Sequence, residues 1–543
     1  MTRRLAPPAV FALAAAFYLY TLQPSLTWGD GIRLQHEAIT GQSFILAELV
    51  KANFAPDPFP FARLGVAAWD HPLYVIIAHT LVRALPGVNS LWLVNSLSAL
   101  FGAAAVATLF ALCRAHTGSA LASLATALLL AVSHTFWFHA ATPEVYTLHA
   151  FLLLLGLYLF DHFWRTDRRW ALTAGSFVMG LAIANHLLAA LALPVLAALS
   201  WPALRRRAAA VRAHSHAPRL TPALAFLLGL SPYLIQLARM LRTFPLAQVT
   251  GPAVGDAFLR TLLHTTPAQV AHSMFTYALF LFLQFGPVGL ALGGWGWWQG
   301  RRAYPALWRM AAALYAVYTA FGIAYRVSDQ FAFFLSSYLF WAMAIGMGAG
   351  QLLATLSRPR RALLLAALAG SIVGLPIVYA ALPPLAYAAG LGDDALGIPR
   401  VGTGVRDGLA YYVNPNKRGD NNAYRFGHDT LAALPPNAEV LAEWYTDTDE
   451  YFVFRYFATV ERMRPDVELV GWPLEDINTF DSGLALAKVA ADLPHRPVYL
   501  ASLSEKFYAA STLERLYCVI PEHNLYRVYP RTGGQTCLNT TDP

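Results

Sequence analysis

The stretch PSLTWGDGIRLQ (24–35) sets one carboxylate, Asp30, between two glycines and beside Trp28, directly after the first apolar run. A carboxylate at such a border can take a proton from a hydroxyl. Further groups able to do chemistry are Arg33, His36 and Glu37, then Asp70, His71, His134, His139, Glu144, Asn185, His186, Arg326 and Asp329. Arginine and histidine can hold an anion or a sugar hydroxyl. Each has a plainer role as well. Asp30 suits a solvated loop, Trp28 an interfacial belt, Glu144 after Pro143 a helix start, and Arg326 snorkelling to headgroups. Arg239 and Arg242 compete with Arg326 for any phosphate. Gathering on one face would favour the chemical reading, and that depends on the elements carrying these residues.

Of the 543 residues, 57% are hydrophobic and only 13% charged. A soluble domain is roughly a quarter charged, so this composition indicates a polytopic α-helical membrane protein. Runs long enough to cross lie near 5–23, 90–112, 119–138, 144–164, 220–238, 272–298, 308–325, 330–355 and 362–383. The run 170–201 reads as two short helices turning at Asn185-His186, which brings the total to about eleven crossings. The formal net charge of +8 sits in short loops between these runs, so it marks topology and not a nucleic-acid face. Arg3-Arg4, Arg114, Arg165 to Arg169, Arg205 to Arg219, Arg301 to Arg309 and Arg358 to Arg361 alternate in a way that one orientation satisfies. The N-terminus is then cytoplasmic and the C-terminus outside. The first outer loop covers 24–89; within it, 71–85 is a short interfacial or re-entrant helix, and 42–70, with Phe44, Phe54, Phe59, Phe61 and Trp69, lies on the outer membrane surface. MTRR before an apolar run reads as a first anchor. Arginine far outnumbers lysine (only Lys51, Lys417, Lys488 and Lys506), which points to a GC-rich bacterial genome, and the expected location is a bacterial inner membrane.

The composition changes after residue 383. NAEVLAEW (437–444), a helical stretch to Arg464 and PDVELVGW (465–472) read as strand, helix, strand; LALAKVAADL, RPVYLAS and NLYRVYP continue the pattern. The expected organisation is a transmembrane domain over 1–383 and an extracytoplasmic α/β domain over 384–543. Cys518 and Cys537 lie together there and either pair or stand free; Cys113 lies on the other side.

In this topology the polar residues named above converge on the outer face, where nucleotide-activated sugars are absent. A transferase there needs a donor delivered through the membrane, such as a polyprenyl phosphate sugar, and a base for the acceptor hydroxyl. The first loop with its early Asp and the helix opening His71-Pro72 resemble the GT-C superfamily of polyprenyl-phosphate-dependent glycosyltransferases. HTFWFHAATPEVYTLHAFLLLLGLYL (134–159) and GLAIANHLLA (180–189) resemble its protein O-mannosyltransferase-like branch, formerly catalogued as a domain of unknown function. The likeness continues through SDQFAFFLSSYLFWAMAIGMG (328–348) and NNAYRFGHDTLAALPPNAEVLAEWYTDTDEYF (421–452).

The resemblance implies an inverting transfer of a hexose, mannose in that branch, from a polyprenyl phosphate to a hydroxyl of an exported protein or glycan. It implies Asp30 as base, Glu144 as second catalytic acid, and Arg33, Glu37, His71, His139, Tyr146, Asn185, His186, Arg326 and Asp329 around the substrates. No acid stands next to Asp30, as one does in many relatives; Glu37 is the nearest. No cofactor or metal is expected, since no histidine pair has ligand spacing with a carboxylate, and phosphate-loop and dinucleotide motifs are absent. The competing readings are a transporter or flippase of lipid-linked glycans, with polar groups at mid-depth and inverted repeats, and a non-catalytic scaffold.

Overall fold

A computed structural model describes residues 6–42, 71–211, 221–242, 246, 249, 262, 265–327, 330–392, 408–443, 450–472 and 482–531. The surface segment expected over 42–70 lies outside them from residue 43 onward, as do Asp70, Asp329 and Cys537. Cys518 is disulfide-bonded, and Cys113 is free and buried.

The helices follow the apolar runs. They are α1 (Ala6–Tyr20), α2 (Asp30–Thr40), α3 (Pro72–Ala84), α4 (Ser90–Thr117), α5 (Ala120–Ala131), α6 (His134–Ala141), α7 (Tyr146–Thr166) and α8 (Arg169–Asn185). A 3-10 turn, Leu187–Leu191, leads to α9 (Ala192–Val211), followed by α10 (Thr221–Leu241), α11 (Pro267–Ala303), α12 (Pro305–Ala324), α13 (Gln330–Phe333), α14 (Leu335–Thr355) and α15 (Arg358–Ala388). Side-chain caps fix several starts: Asn89 accepts from the Trp92 N–H, Ser119 from Ala122, and Thr266 with Gln269 forms a capping box.

Among the described residues, eight helices are long and apolar enough to cross a bilayer, and the pair α5–α6 makes a ninth if its two halves form one span. The sequence count of about eleven also included α1 and α8, whose helical parts are 15 and 17 residues. The turn at Asn185-His186 is present: α8 ends at Asn185 and His186 caps the next turn. The run 119–138 is not one straight helix, because it bends by 64° between α5 and α6.

Two features adapt these helices to each other. Gly180 on α8 and Gly229 on α10 let the helices touch backbone to backbone: a Cβ on Gly180 would stand 2.2 Å from the Phe226 carbonyl oxygen. In α11 the backbone breaks at Gly286 before Pro287, which has no N–H to offer the Leu283 carbonyl. The Tyr379 hydroxyl donates to that carbonyl instead, at 2.7 Å.

Beyond α15 come α16 (Gly408–Val413), α17 (Asn422–Ala433), β1 (Glu439–Glu443), α18 (Glu450–Tyr456) with a π turn (Phe457–Glu461), β2 (Glu468–Trp472), α19 (Ser482–Asp492), β3 (Val498–Leu500), β4 (Tyr517–Glu522) and β5 (Leu525–Pro530). The sheet order is β2-β1-β3-β5-β4. β1 pairs parallel with β2 and β3, whereas β5 pairs antiparallel with β3 and β4. The helices share one apolar core. A second core joins Leu26, Trp28 and Ile32 of the first loop to Phe426, Phe452 and Phe454, so the α/β unit sits directly on α2.

Candidate active site

Asp30 opens α2, in the first turn of a helix whose dipole favours a carboxylate there. The flanking glycines do not make a flexible hinge of this stretch. Gly29 caps the helix at φ 65°, ψ −148°, a region essentially reserved for glycine. Gly31 is buried against the turn before α7, and a Cβ on it would stand 2.9 Å from the Pro143 carbonyl oxygen and 2.4 Å from Thr27 Cγ2. The two glycines therefore seat the first loop tightly. Local sequence suggested freedom because the contact that uses the glycines is 112 residues away in the chain, from Gly31 to Pro143.

That contact sets two carboxylates around one recess. Asp30, Arg33, Leu34, His71, Glu144, Val145 and Tyr146 line one small recess. Asp30 is mostly exposed and ion-paired with Arg33 one turn on, whose guanidinium lies 5.9 Å from the Phe452 ring centre. Glu144 is held by its backbone: the Ser98 hydroxyl accepts its N–H and donates to its carbonyl, both at 2.9 Å. Behind the recess, Asn185 Nδ2 donates to the Val145 carbonyl at 3.1 Å, and His71 Nδ1 donates to the Asn185 carbonyl at 2.8 Å. The His71 and His186 ring centres lie 4.9 Å apart, with the rings tilted by 30°. Tyr146 lies 5.5 Å from His186 and 4.7 Å from His139.

These elements can be compared with known proteins. Residues 70–210 match the family described as the protein O-mannosyl-transferase TMEM260 N-terminal domain. ArnT from Cupriavidus metallidurans bound to undecaprenyl phosphate superposes with a TM-score of 0.56 at 14% identity, covering 96% of this chain and 97% of that one. The same protein in its apo state gives 0.52 at 15% identity with the same coverage. The chain thus shares the fold of ArnT, and its segment 70–210 is similar to the O-mannosyl-transferase N-terminal domain. The multi-pass membrane architecture and the α/β unit read from the sequence are present.

His71, His139, Glu144, Tyr146, Asn185 and His186 fall in the matched segment 70–210, whereas Asp30 and Arg33 come from α2 before it. Not every expected residue reaches the recess. Glu37 is completely buried on α2 and does not line it, so Asp30 and Glu144 are the two carboxylates there. His139 is buried beneath Tyr146, stacked on Phe331 at 5.7 Å, and neither ring nitrogen has a partner among the described residues. Arg326 follows α12 and is not in the lining; Asp329 lies outside the described residues.

Three further groups build the site. Gln35 on α2 accepts from the Thr27 N–H and donates to Asn95, which in turn donates to the carbonyls of Gln23 and Ser25. His149 lies 5.7 Å behind His186 and bonds to Ser336 at 2.9 Å. Lys417, nearly buried, rests 4.7 Å from the Phe138 ring centre and 3.9 Å from that of Tyr411, and donates to the Tyr411 carbonyl. Each left a trace in the sequence: the polar NSLS (95–98) inside an apolar run, a histidine one turn after Tyr146, and one of only four lysines. On the α/β side, the His36 ring bonds to the Thr459 hydroxyl at 3.0 Å, and burial, then the Arg455 charge, hold its pKa well below the usual histidine value.

Proposed function

We propose that this protein transfers a hexose, mannose in keeping with its O-mannosyltransferase-like segment, from a polyprenyl phosphate to a hydroxyl of an exported protein or glycan. Asp30 acts as general base and Glu144 orients the acceptor or the sugar. The observation that carries the reading is that these two carboxylates, from distant parts of the chain, line one recess at the foot of the α/β unit. The undecaprenyl phosphate in the similar ArnT structure supports a lipid-linked donor.

In the step, the acceptor O–H passes its proton to the Asp30 carboxylate while the acceptor oxygen bonds to the anomeric carbon. The bond from that carbon to the phosphate oxygen breaks on the opposite face, the configuration inverts, and polyprenyl phosphate leaves. Arg33 orients Asp30 through their ion pair, and no cofactor is required. The arginine pattern of the loops supports an N-terminus in the cytoplasm and a recess facing outward, in a bacterial inner membrane. The region 384–543 would form the outer domain that shapes acceptor access, with 1–383 the membrane domain.

The test is Asp30→Asn assayed for sugar transfer from a lipid-linked donor. Loss of transfer by about 10²–10⁴-fold, with donor binding retained, is the expected result. Full activity overturns the assignment of the base. Transport of a lipid-linked glycan across vesicles without any transfer would establish the flippase reading instead.

A further inference from the structure

Carboxylates that activate an acceptor repel a phosphate, so a recess holding Asp30 and Glu144 must place the donor phosphate elsewhere. Among the described residues, Arg33 is the only permanently charged cation in the lining, and Asp30 already engages it. The other side-chain donors there are His71 and the Tyr146 hydroxyl, and His71 opens a row of imidazoles that runs behind the recess. The His71 and His186 ring centres lie 4.9 Å apart with 30° between the rings, and His149 stands 5.7 Å from His186. We propose that His186 and His71, backed by His149, form the phosphate subsite of the lipid-linked donor. The proposal rests on the lipid-phosphate reading above and goes further by naming the groups that hold the phosphate.

Hydrogen bonding fixes the donors. The Leu188 N–H is given to His186 Nδ1 at 3.1 Å, so a neutral His186 carries its proton on Nε2 and presents an N–H donor. His71 is tied through Nδ1–H to the Asn185 carbonyl, which orients its ring beside that of His186. His149 is fully buried, with Nε2 on the Ser336 hydroxyl and with Nδ1 lacking any partner among the described residues. An unpartnered buried ring nitrogen costs about 1–3 kcal/mol, so His149 is held in this row at an energetic cost that packing alone does not require. A metal site is a poorer fit, because among the described residues no three His, Cys, Asp or Glu are arranged to hold an ion. Phe333 lies 6.2 Å from His186 and Phe331 stacks on His139, giving the row an apolar cover beside its polar edge.

The test measures binding of the full-length protein in detergent to decaprenyl phosphate, to the corresponding polyprenol without phosphate, and to inorganic phosphate as competitor. His186→Ala should weaken decaprenyl phosphate binding about tenfold or more, the loss of one hydrogen bond to an ion, and leave polyprenol binding unchanged. His186→Gln, which keeps an N–H donor, should recover part of the loss and carries the test if the alanine variant does not fold. His149→Leu should weaken the same binding several-fold. Competition by inorganic phosphate in the wild type and not in His186→Ala would show that the subsite reads the phosphate and not the lipid. Wild-type affinity in both His186 variants overturns the proposal, as does loss confined to Arg33→Gln or an equal loss of phosphate and polyprenol. Asp30→Asn should bind decaprenyl phosphate normally. If the wild type binds no polyprenyl compound, the donor reading itself fails; if it binds and the histidine variants bind equally well, only the subsite fails.

Discussion

Asp30 owes its position to a neighbour without a side chain. The Gly31 Cα packs under the Pro143 carbonyl, and this close approach brings the start of α2 to the turn that carries Glu144. Gly31→Ala would press a methyl group against that carbonyl and against Thr27. Overpacking of this kind costs about 1–3 kcal/mol, and here any relief moves Asp30 away from Glu144. The variant should unfold at lower temperature and lose sugar transfer more than tenfold with little change in donor affinity. Gly87→Ala is the control, because a Cβ there meets nothing within 4 Å. Thermal unfolding and transfer assays on the two variants check this, and equal activities would contradict it.

At the level of elements, α2 is held to α4 by amides buried at the membrane border. Gln35 and Asn95 bond to each other at 2.8 Å and between them satisfy the backbone of Gln23, Ser25 and Thr27. Asn95→Ala would leave the Gln23 carbonyl without its partner and take one acceptor from the Gln35 amide, which keeps the Ser25 carbonyl, at about 1–3 kcal/mol for each group left unsatisfied where water does not reach. Hydrogen exchange should rise over residues 30–40 and stay unchanged over α7; uniform protection would show that the latch is dispensable. The same elements show what could be read from sequence. Long apolar runs and the turn at Asn185-His186 were visible because length and polarity decide them locally. α2 was hidden, since Gly-Asp-Gly looks like a turn until the surface against which Gly31 packs is known. So were the 64° bend in 119–138 and the strand β4, which carries Pro521 and runs into a tight turn to β5. Of the site, Asp30, Glu144 and His71 stood out as polar groups at helix ends or in outer loops, and Tyr146 came in only with the family resemblance. Glu37 was named for its nearness in sequence, but its position on α2 turns it inward.

For the whole molecule, the question is how the α/β unit and the recess influence each other. α18 is the bridge: Phe452 lies under Arg33, and the π turn after it gives Thr459 to His36. The start of α18 carries Glu450, which faces Glu443 at the end of β1, with Ser502 and Tyr508 around the pair. Burial, then repulsion from Glu450, raises the Glu443 carboxyl to about 7, against a smaller opposing effect of the Ser502 hydroxyl. A carboxyl raised on folding stabilises the fold in its protonated form. That contribution is complete below the ordinary value of 4.5, declines as pH rises, and is lost through about pH 7. Deprotonation leaves two buried like charges, which α18 can separate only by shifting from β1, and such a shift loosens the Phe452 and Thr459 contacts on α2. Hydrogen exchange over residues 30–40 and 450–461 should therefore be slower at pH 5.5 than at pH 8, after correction for the intrinsic pH dependence of exchange. In Glu443→Gln, which keeps the shape and stays neutral, the difference should vanish in both segments. A difference that persists in Glu443→Gln, or one confined to 450–461, would mean that the α/β unit titrates without moving the helix that carries Asp30.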